Sequence, residues 1–256
     1  MNKACVFYTD HYVNQIVTQF LAKSQSLTFQ SIENYQDNNQ CIFTSYGILR
    51  GTGDIFKKSK NYIYIDHGYF NASARKFSGN KITVVSALSG YFRLIHNDFY
   101  FRANYQNSDP TRFNKLNIDL KDLNQKGEII ILSEPSEHIL KFLNMPNWTQ
   151  ETLNKLKSLT DRKVIVHNKF SDIPLKSLMK KAFAFVSCQS TAGFMSISEG
   201  TPAYFTHPSF GDSSNIDNIE DRKLNHNLLF TAANSQWRLS EFFTDEFKAY
   251  FSNINL

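Results

Sequence analysis

Short apolar runs alternate with stretches of helical period along most of this chain. "KACVFYT" (3–9) reads as a strand, and "HYVNQIVTQFLAKS" (11–24) carries Val13, Ile16, Val17, Phe20 and Leu21 at helical spacing. "LTFQSI" (27–32) reads as a strand, "CIFTSYGILRGTG" (41–53) as a strand then a loop, and "DIFKKSK" as a short helix. "NYIYIDHGYF" (61–70) is a strand ending in a polar cluster, and "KITVVSAL" (81–88) is another strand. After a polar stretch the alternation resumes with "EIIIL" (128–132), helices from "SEPSEHILKFLN" and "TQETLNKLKSLT" (149–160), and the strand "KVIVHNK" (163–169). "PLKSLMKKA" (174–182) is a helix with Pro in its first turn, and "FAFVS" and "PAYFT" are the next strands.

Strands and helices alternating at this spacing predict an α/β fold, with parallel strands covered by helices on both faces. In such sheets ligands sit outside the carboxyl ends of the strands. The positions to inspect are therefore Gly47 to Gly53 and Asp66-His67-Gly68 in the first half. In the second half they are Ser133-Glu134, His167-Asn168-Lys169, Gln189 to Gly193, and His207. Residues 104–127 carry few apolar positions and mark the expected junction, giving domains over 1–115 and 125–232. The terminal "NSQWRLSEFFTDEFKAYF" (234–251) reads as an amphipathic helix within a tail over 234–256.

Composition narrows the class. Of 256 residues, 41% are hydrophobic, with 23 Phe and 12 Tyr, which supplies a packed core and excludes a disordered chain. No apolar run reaches membrane-spanning length, and the polar start "MNKACVFYTD" does not read as a signal peptide. No membrane partner is expected. The three cysteines, Cys5, Cys41 and Cys188, lie far apart and suit a reducing cytoplasm. A formal net charge of +5 permits an anionic partner without demanding one.

The strand-end clusters carry the candidate chemistry. Ser190, Thr191, Ala192 and Gly193 stand where a buried strand hands over to a helix. Two readings fit: an ordinary helix cap, or a cradle in which hydroxyls and backbone N–H groups meet a phosphate. The glycine spacing is neither that of a Walker loop nor that of a dinucleotide fingerprint. Lys169 is a cation at the same sheet edge, and Ser133 either caps the following helix or faces a ligand. In "YIDHGYF" a carboxylate, Asp66, adjoins an imidazole, His67, a pairing suited to taking a proton from a hydroxyl. The alternative is a turn-capping Asp66 beside a satisfied His67. Arg50 and Gly51 form a loop able to approach an anion, and "YFRLIHN" supplies Arg93, as an anion helper or as a strand residue reaching to solvent. The seven histidines show no metal-ligand spacing, so no metal is expected.

The stretch "VSCQSTAGFMSISEGTPAYF" resembles the donor-binding half of GT-B glycosyltransferases, where a strand, a Ser/Thr/Gly loop, a helix, G-x-P and a strand follow in turn. That resemblance implies two Rossmann-like domains facing a cleft. It implies diphosphate contacts at Ser190, Thr191, Ala192 and Gly193, with Arg93, Lys169 and Ser133 as helpers. It also implies a final helix crossing back to the first domain. Met195 stands where many members carry a ribose-holding glutamate. A narrower resemblance spans residues 47 to 242. "GILRGTGDI", "YIYIDHGYF", "YFRLIHN", "STAGFMSISEGTPAYF", "NIEDR" and "SQWRLSEF" recur in that order in bacteriophage proteins that look like glycosyltransferases of hypermodified DNA bases.

The reading that follows is sugar transfer, with UDP-glucose as co-substrate and no further cofactor, to a hydroxymethylated pyrimidine in DNA. Asp66, or else His67, would take the acceptor proton, and Tyr69 or Phe70 would stack on a flipped-out base. The alternatives are transfer to a surface or capsular polysaccharide, and a non-catalytic nucleic-acid-binding protein on a degenerate fold of the same kind.

Overall fold

The protein is described by a computed structural model covering residues 3–37, 41–71, 75–78, 81–84, 89–100 and 108–254. The chain divides into two compact units: Met1–Phe99 with Ser235–Leu256, and Tyr100–Asn234.

The first unit opens with β1 (Lys3–Tyr8), α1 (Tyr12–Gln25), β2 (Thr28–Ser31), β3 (Cys41–Tyr46), α2 (Thr52–Lys58) and β4 (Tyr62–His67). A hairpin of β5 (Arg75–Ser78) and β6 (Lys81–Val84) follows, then β7 (Tyr91–His96). Of the strand expected over 81–88, residues 85–88 lie outside the described residues.

The second unit contains α3 (Thr111–Asn114), β8 (Ile129–Ser133), α4 (Glu137–Phe142), α5 (Trp148–Leu159), β9 (Lys163–His167) and α6 (Leu175–Met179). It continues through β10 (Ala182–Ser187), α7 (Ala192–Ser198), β11 (Ala203–Phe205) and α8 (His226–Asn234). The chain then returns to the first unit as β12 (Gln236–Arg238) and α9 (Asp245–Ile254).

The first sheet has the order β12-β7-β4-β3-β1-β2. Four of its strands, β2, β1, β3 and β4, run parallel as expected, but β7 lies antiparallel to β4 and β12 antiparallel to β7. The reason is the connection. A parallel return needs a long crossover, usually a helix, whereas the segment between β4 and β7 is built around a hairpin. The sheet is buried on both faces. Val6, Ile42, Ile63, Ile65 and Leu94 point toward α1 and α9, while Phe7, Phe43, Tyr62 and Tyr64 pack with Phe56 of α2. This two-residue alternation with both faces apolar explains the near-continuous hydrophobic runs of the sequence.

The tail departs from the uniform helix expected over 234–251. It begins as β12, passes through a 3-10 turn (Leu239–Phe243), and becomes helical only at Asp245. Trp237 and Phe242 are thereby sunk into the first unit's core with Phe247.

The second sheet is wholly parallel, in the order β11-β10-β8-β9. The second unit begins at Tyr100, before the stretch 104–127 expected as the junction. Within the polar stretch, Arg112, Phe113 and Leu116 are buried, and Phe113 packs on Phe230 of α8 with ring centroids 5.5 Å apart. Those contacts make residues 108–127 part of the second unit rather than a linker. Both units are Rossmann-like α/β structures, and among the described residues no helix is long and apolar enough to cross a membrane.

Candidate functional site

The carboxyl end of β4 holds the densest polar cluster of the first unit. Asp66 stands directly opposite Arg93 in the antiparallel β4–β7 pair, so the two side chains share a face. Arg93 Nη2 donates to Asp66 Oδ2 at 3.0 Å, and the Tyr64 hydroxyl donates to the same oxygen at 2.6 Å. Tyr64 reaches it because residues two apart along a strand point the same way. Asp66 Oδ1 accepts from the His67 N–H at 2.7 Å, while Arg93 Nη1 donates to the His67 carbonyl at 3.0 Å. The Arg93 guanidinium also lies 5.7 Å from the Tyr64 ring centroid and 5.3 Å from that of Tyr69.

Burial opposes ionisation of Asp66. The Arg93 charge, His67, the Tyr64 hydroxyl and the His67 N–H outweigh it and hold the carboxyl below the usual carboxylate value. A carboxylate held this way is a weak proton acceptor, since basicity falls with pKa. His67 is differently placed. Its peptide is gripped on both sides, its ring lies on Phe92 at 5.8 Å, and its Nε2 is 2.9 Å from the Tyr46 hydroxyl.

The turn after His67 depends on Gly68. A Cβ there would meet Gln236 Oε1 at 2.6 Å and Tyr91 Cβ at 2.8 Å. Gln236, fully buried, also accepts from the Phe70 N–H at 2.9 Å. Tyr69 and Phe70, expected to stack on an extruded base, are each 3% exposed and offer no face to one. Arg50 pairs with Asp10 at 3.2 Å in the loop that leads into α2, with Gly51 at its N-cap.

Cavities open at the carboxyl edge of the second sheet. One, of about 240 Å³, lies where β8 and β10 end, and is lined by Ser133, Glu134, Pro135, Ser136, Ile139, Gln189, Ser190 and Thr191. The structure thus brings the expected Ser133, Ser190 and Thr191 together. Lys169 is not among the lining residues, its ammonium lying 4.8 Å from the Phe170 ring centroid, and Arg93 belongs to the first unit.

Three of the loop's N–H groups are bonded within it. The Ser190 N–H donates to Ser187 Oγ at 3.0 Å, the Ala192 N–H to Ser190 Oγ at 3.3 Å, and the Gly193 N–H to the Ser190 carbonyl at 2.9 Å. Ser190 therefore acts as a local cap on α7. Gly193 is buried, and a Cβ on it would meet Phe205 Cζ at 2.6 Å, so its small size admits an aromatic ring. Cys188, beneath the loop, is buried, and burial pushes its thiol up to about 11, against a smaller opposing effect of Thr206. It is no nucleophile at neutral pH.

The second cavity, of about 490 Å³, opens beside the end of β11 between Met145, Trp148, Thr206, His207 and Ile216. Trp148 Nε1 donates to Thr206 Oγ1 at 2.7 Å, fixing the start of α5 against the strand end.

The chain is similar in fold to a sugar transferase. The solved structure is that of Thermosulfurimonas dismutans KpsC, a beta Kdo 2,7 transferase, at a TM-score of 0.53 and 12% identity, covering 97% of this chain and 100% of that one. At that identity the likeness establishes the shared fold. No protein-family model matches the chain, and no curated protein matches it by sequence.

Two site residues escaped sequence reasoning. Tyr46 ends an ordinary apolar strand and gives no signal of its contact with His67. Gln236 lies in a segment that reads as helix. Glu134 and Gln189 were visible as strand-end positions, but only their shared cavity gives them a role.

Proposed function

We propose that this chain is a glycosyltransferase acting on a glycan. The observation that carries the reading is the extent of the likeness to the Kdo transferase, which takes in 97% of this chain and 100% of that one. The strand-end clusters support it: each unit presents polar chemistry at the edge where ligands of such sheets bind.

In this reading an acceptor hydroxyl oxygen attacks the anomeric carbon of a nucleotide-activated sugar. The bond to the phosphate oxygen breaks, and the hydroxyl proton passes to His67. Asp66 and Arg93 position His67 through its peptide, and Asp66 is the weaker alternative acceptor. No resident cofactor enters this scheme.

A glycan acceptor is favoured over a base in DNA on two observations. Arg93 is paired with Asp66 and Arg50 with Asp10, so two of the three candidate cations already face carboxylates rather than a phosphate backbone. The aromatics that would hold an extruded base are buried.

The test is transfer from a panel of nucleotide sugars, UDP-glucose and activated Kdo among them. The acceptors are bacterial-type oligosaccharides, hydroxymethylated DNA and plain DNA. Product on oligosaccharide alone supports the reading. Product on hydroxymethylated DNA replaces it with the DNA-modifying one, and no transfer from any donor removes the transferase reading.

A further inference from the structure

The stretch from β9 through α6, Lys163 to Lys181, concentrates charge. It holds five lysines and one aspartate, a net +4 where the whole chain carries +5. Lys163, Lys169, Lys176, Lys180 and Lys181 are all exposed. Among the described residues, ion pairs engage Lys121, Lys155 and Lys248 elsewhere on the chain, but none of these five. Their charge is uncompensated.

The same stretch exposes apolar groups. Phe170 is 76% exposed, Ile173 53% and Val166 40%, three large side chains within eight positions. Single exposed hydrophobics are ordinary, whereas a cluster rimmed by polar groups marks a contact surface. The loop holds the tips outward. Asn168 Oδ1 accepts from the Phe170 N–H at 2.9 Å, the Asn168 N–H donates to Ser171 Oγ at 3.0 Å, and the Ser171 N–H donates to the Asn168 carbonyl at 3.1 Å. His167 Nε2 donates to the Ile173 carbonyl at 2.9 Å and pins the far end.

The combination selects the partner. Ammonium groups meet lipid headgroup phosphates, while apolar tips enter the boundary between headgroups and acyl chains. Nucleic acid is met chiefly by Arg forks and stacked rings, and this stretch has no Arg and two aliphatic tips. A contact of this kind buries side chains only and needs no membrane-spanning segment.

We propose that the segment from β9 to α6 docks the chain on an anionic lipid surface, with Phe170 and Ile173 at the headgroup boundary and the lysines on the phosphates. The proposal stands independently of the sugar-transferase reading.

The test is co-sedimentation of the whole chain with vesicles of phosphatidylcholine alone and of phosphatidylcholine mixed with phosphatidylserine. The chain binds the mixed vesicles only, and raising salt from about 0.1 to 1 M releases it as the screening length shortens. Phe170→Ser weakens binding about tenfold. Lys169→Gln combined with Lys176→Gln weakens it about tenfold or more. Trp148 and Trp237 are buried, so Phe170→Trp adds an exposed reporter whose emission shifts to the blue on mixed vesicles.

All these substitutions fall on exposed side chains, and the unaltered chain already separates the two vesicle types. No binding to mixed vesicles would overturn the proposal, as would equal binding to neutral ones, or binding that Phe170→Ser and Ile173→Ser leave unchanged. Tighter binding to DNA than to mixed vesicles would make this a nucleic-acid surface instead. Self-association that Phe170→Ser abolishes, without vesicle binding, would assign the patch to a second copy of the chain. Vesicle binding without sugar transfer leaves the docking surface standing and removes only the transferase reading.

Discussion

Arg93 and Asp66 face each other across an antiparallel strand pair and close on one peptide group from both sides. Asp66 Oδ1 takes the His67 N–H at 2.7 Å, Arg93 Nη1 reaches the His67 carbonyl at 3.0 Å, and the two side chains meet at 3.0 Å. The Arg93 side chain is 5% exposed and that of Asp66 27%, so the pair is largely out of water.

Replacing Asp66 by Asn leaves Arg93 buried without its countercharge. The expected loss is about 2–4 kcal/mol, near the lower end of buried-pair disruptions because Asp66 keeps some solvent contact. Urea unfolding at neutral pH measures it. The folded-state pKa of Asp66 lies below its unfolded value, so its contribution is fully present above the unfolded value, about pH 4. It is lost as pH falls through the lower folded value. Asp66→Asn should therefore flatten the acid side of the stability curve, and an unchanged acid limb would contradict the pairing.

Gly193 tests whether its small size serves packing. A Cβ there meets Phe205, whose ring is stacked on Phe210 at 4.3 Å and packs on Phe194 at 5.1 Å, so the ring has little room to yield. Gly193→Ala should cost about 1–3 kcal/mol. Phe205→Leu should recover part of that loss in the double variant, read as a non-additive cycle in thermal unfolding. Simple additivity would point instead to a backbone role.

Asn14 ties the ends of two strands together from the start of α1. Its Oδ1 accepts from the Thr9 N–H at 2.9 Å and its Nδ2 donates to the Tyr46 carbonyl at 2.8 Å, with the side chain almost fully buried. Asn14→Leu removes the partner of the buried Thr9 N–H and one donor to the Tyr46 carbonyl, and should cost about 1–3 kcal/mol in denaturant unfolding. Because Tyr46 also contacts His67, the proposed sugar transfer should fall more than the folded fraction does.

At the other sheet, Thr206→Val removes the acceptor of the buried Trp148 indole N–H. The expected cost is about 1–3 kcal/mol, with a change in tryptophan emission that Thr206→Ser largely reverses. Emission identical to the parent would show that the indole finds another partner.

Much of the architecture was legible in the sequence. Runs such as "EIIIL" and "FAFVS" are apolar on both faces because parallel strands are covered twice, and they mark β8 and β10 closely. The strand-end rule also singled out Asp66, Ser133 and Ser190 before any fold was known. What the sequence could not carry was partnership.

Asp66 and Arg93 lie 27 positions apart, and only the antiparallel turn of β7 sets them face to face. Gln236 reaches Phe70 across 166 positions through a strand hidden in a stretch with helical character. The loop "QSTAGF" reads equally as a cap or an anion cradle, because both use the same residue types. The tertiary structure bonds the Ser190, Ala192 and Gly193 N–H groups within the loop and sets the Glu134 carboxylate beside it. Local pattern determined which elements form and where they end. Long-range pairing decided which polar groups meet, since hydrogen bonds and charge contacts depend on distance in space, which sequence separation does not record.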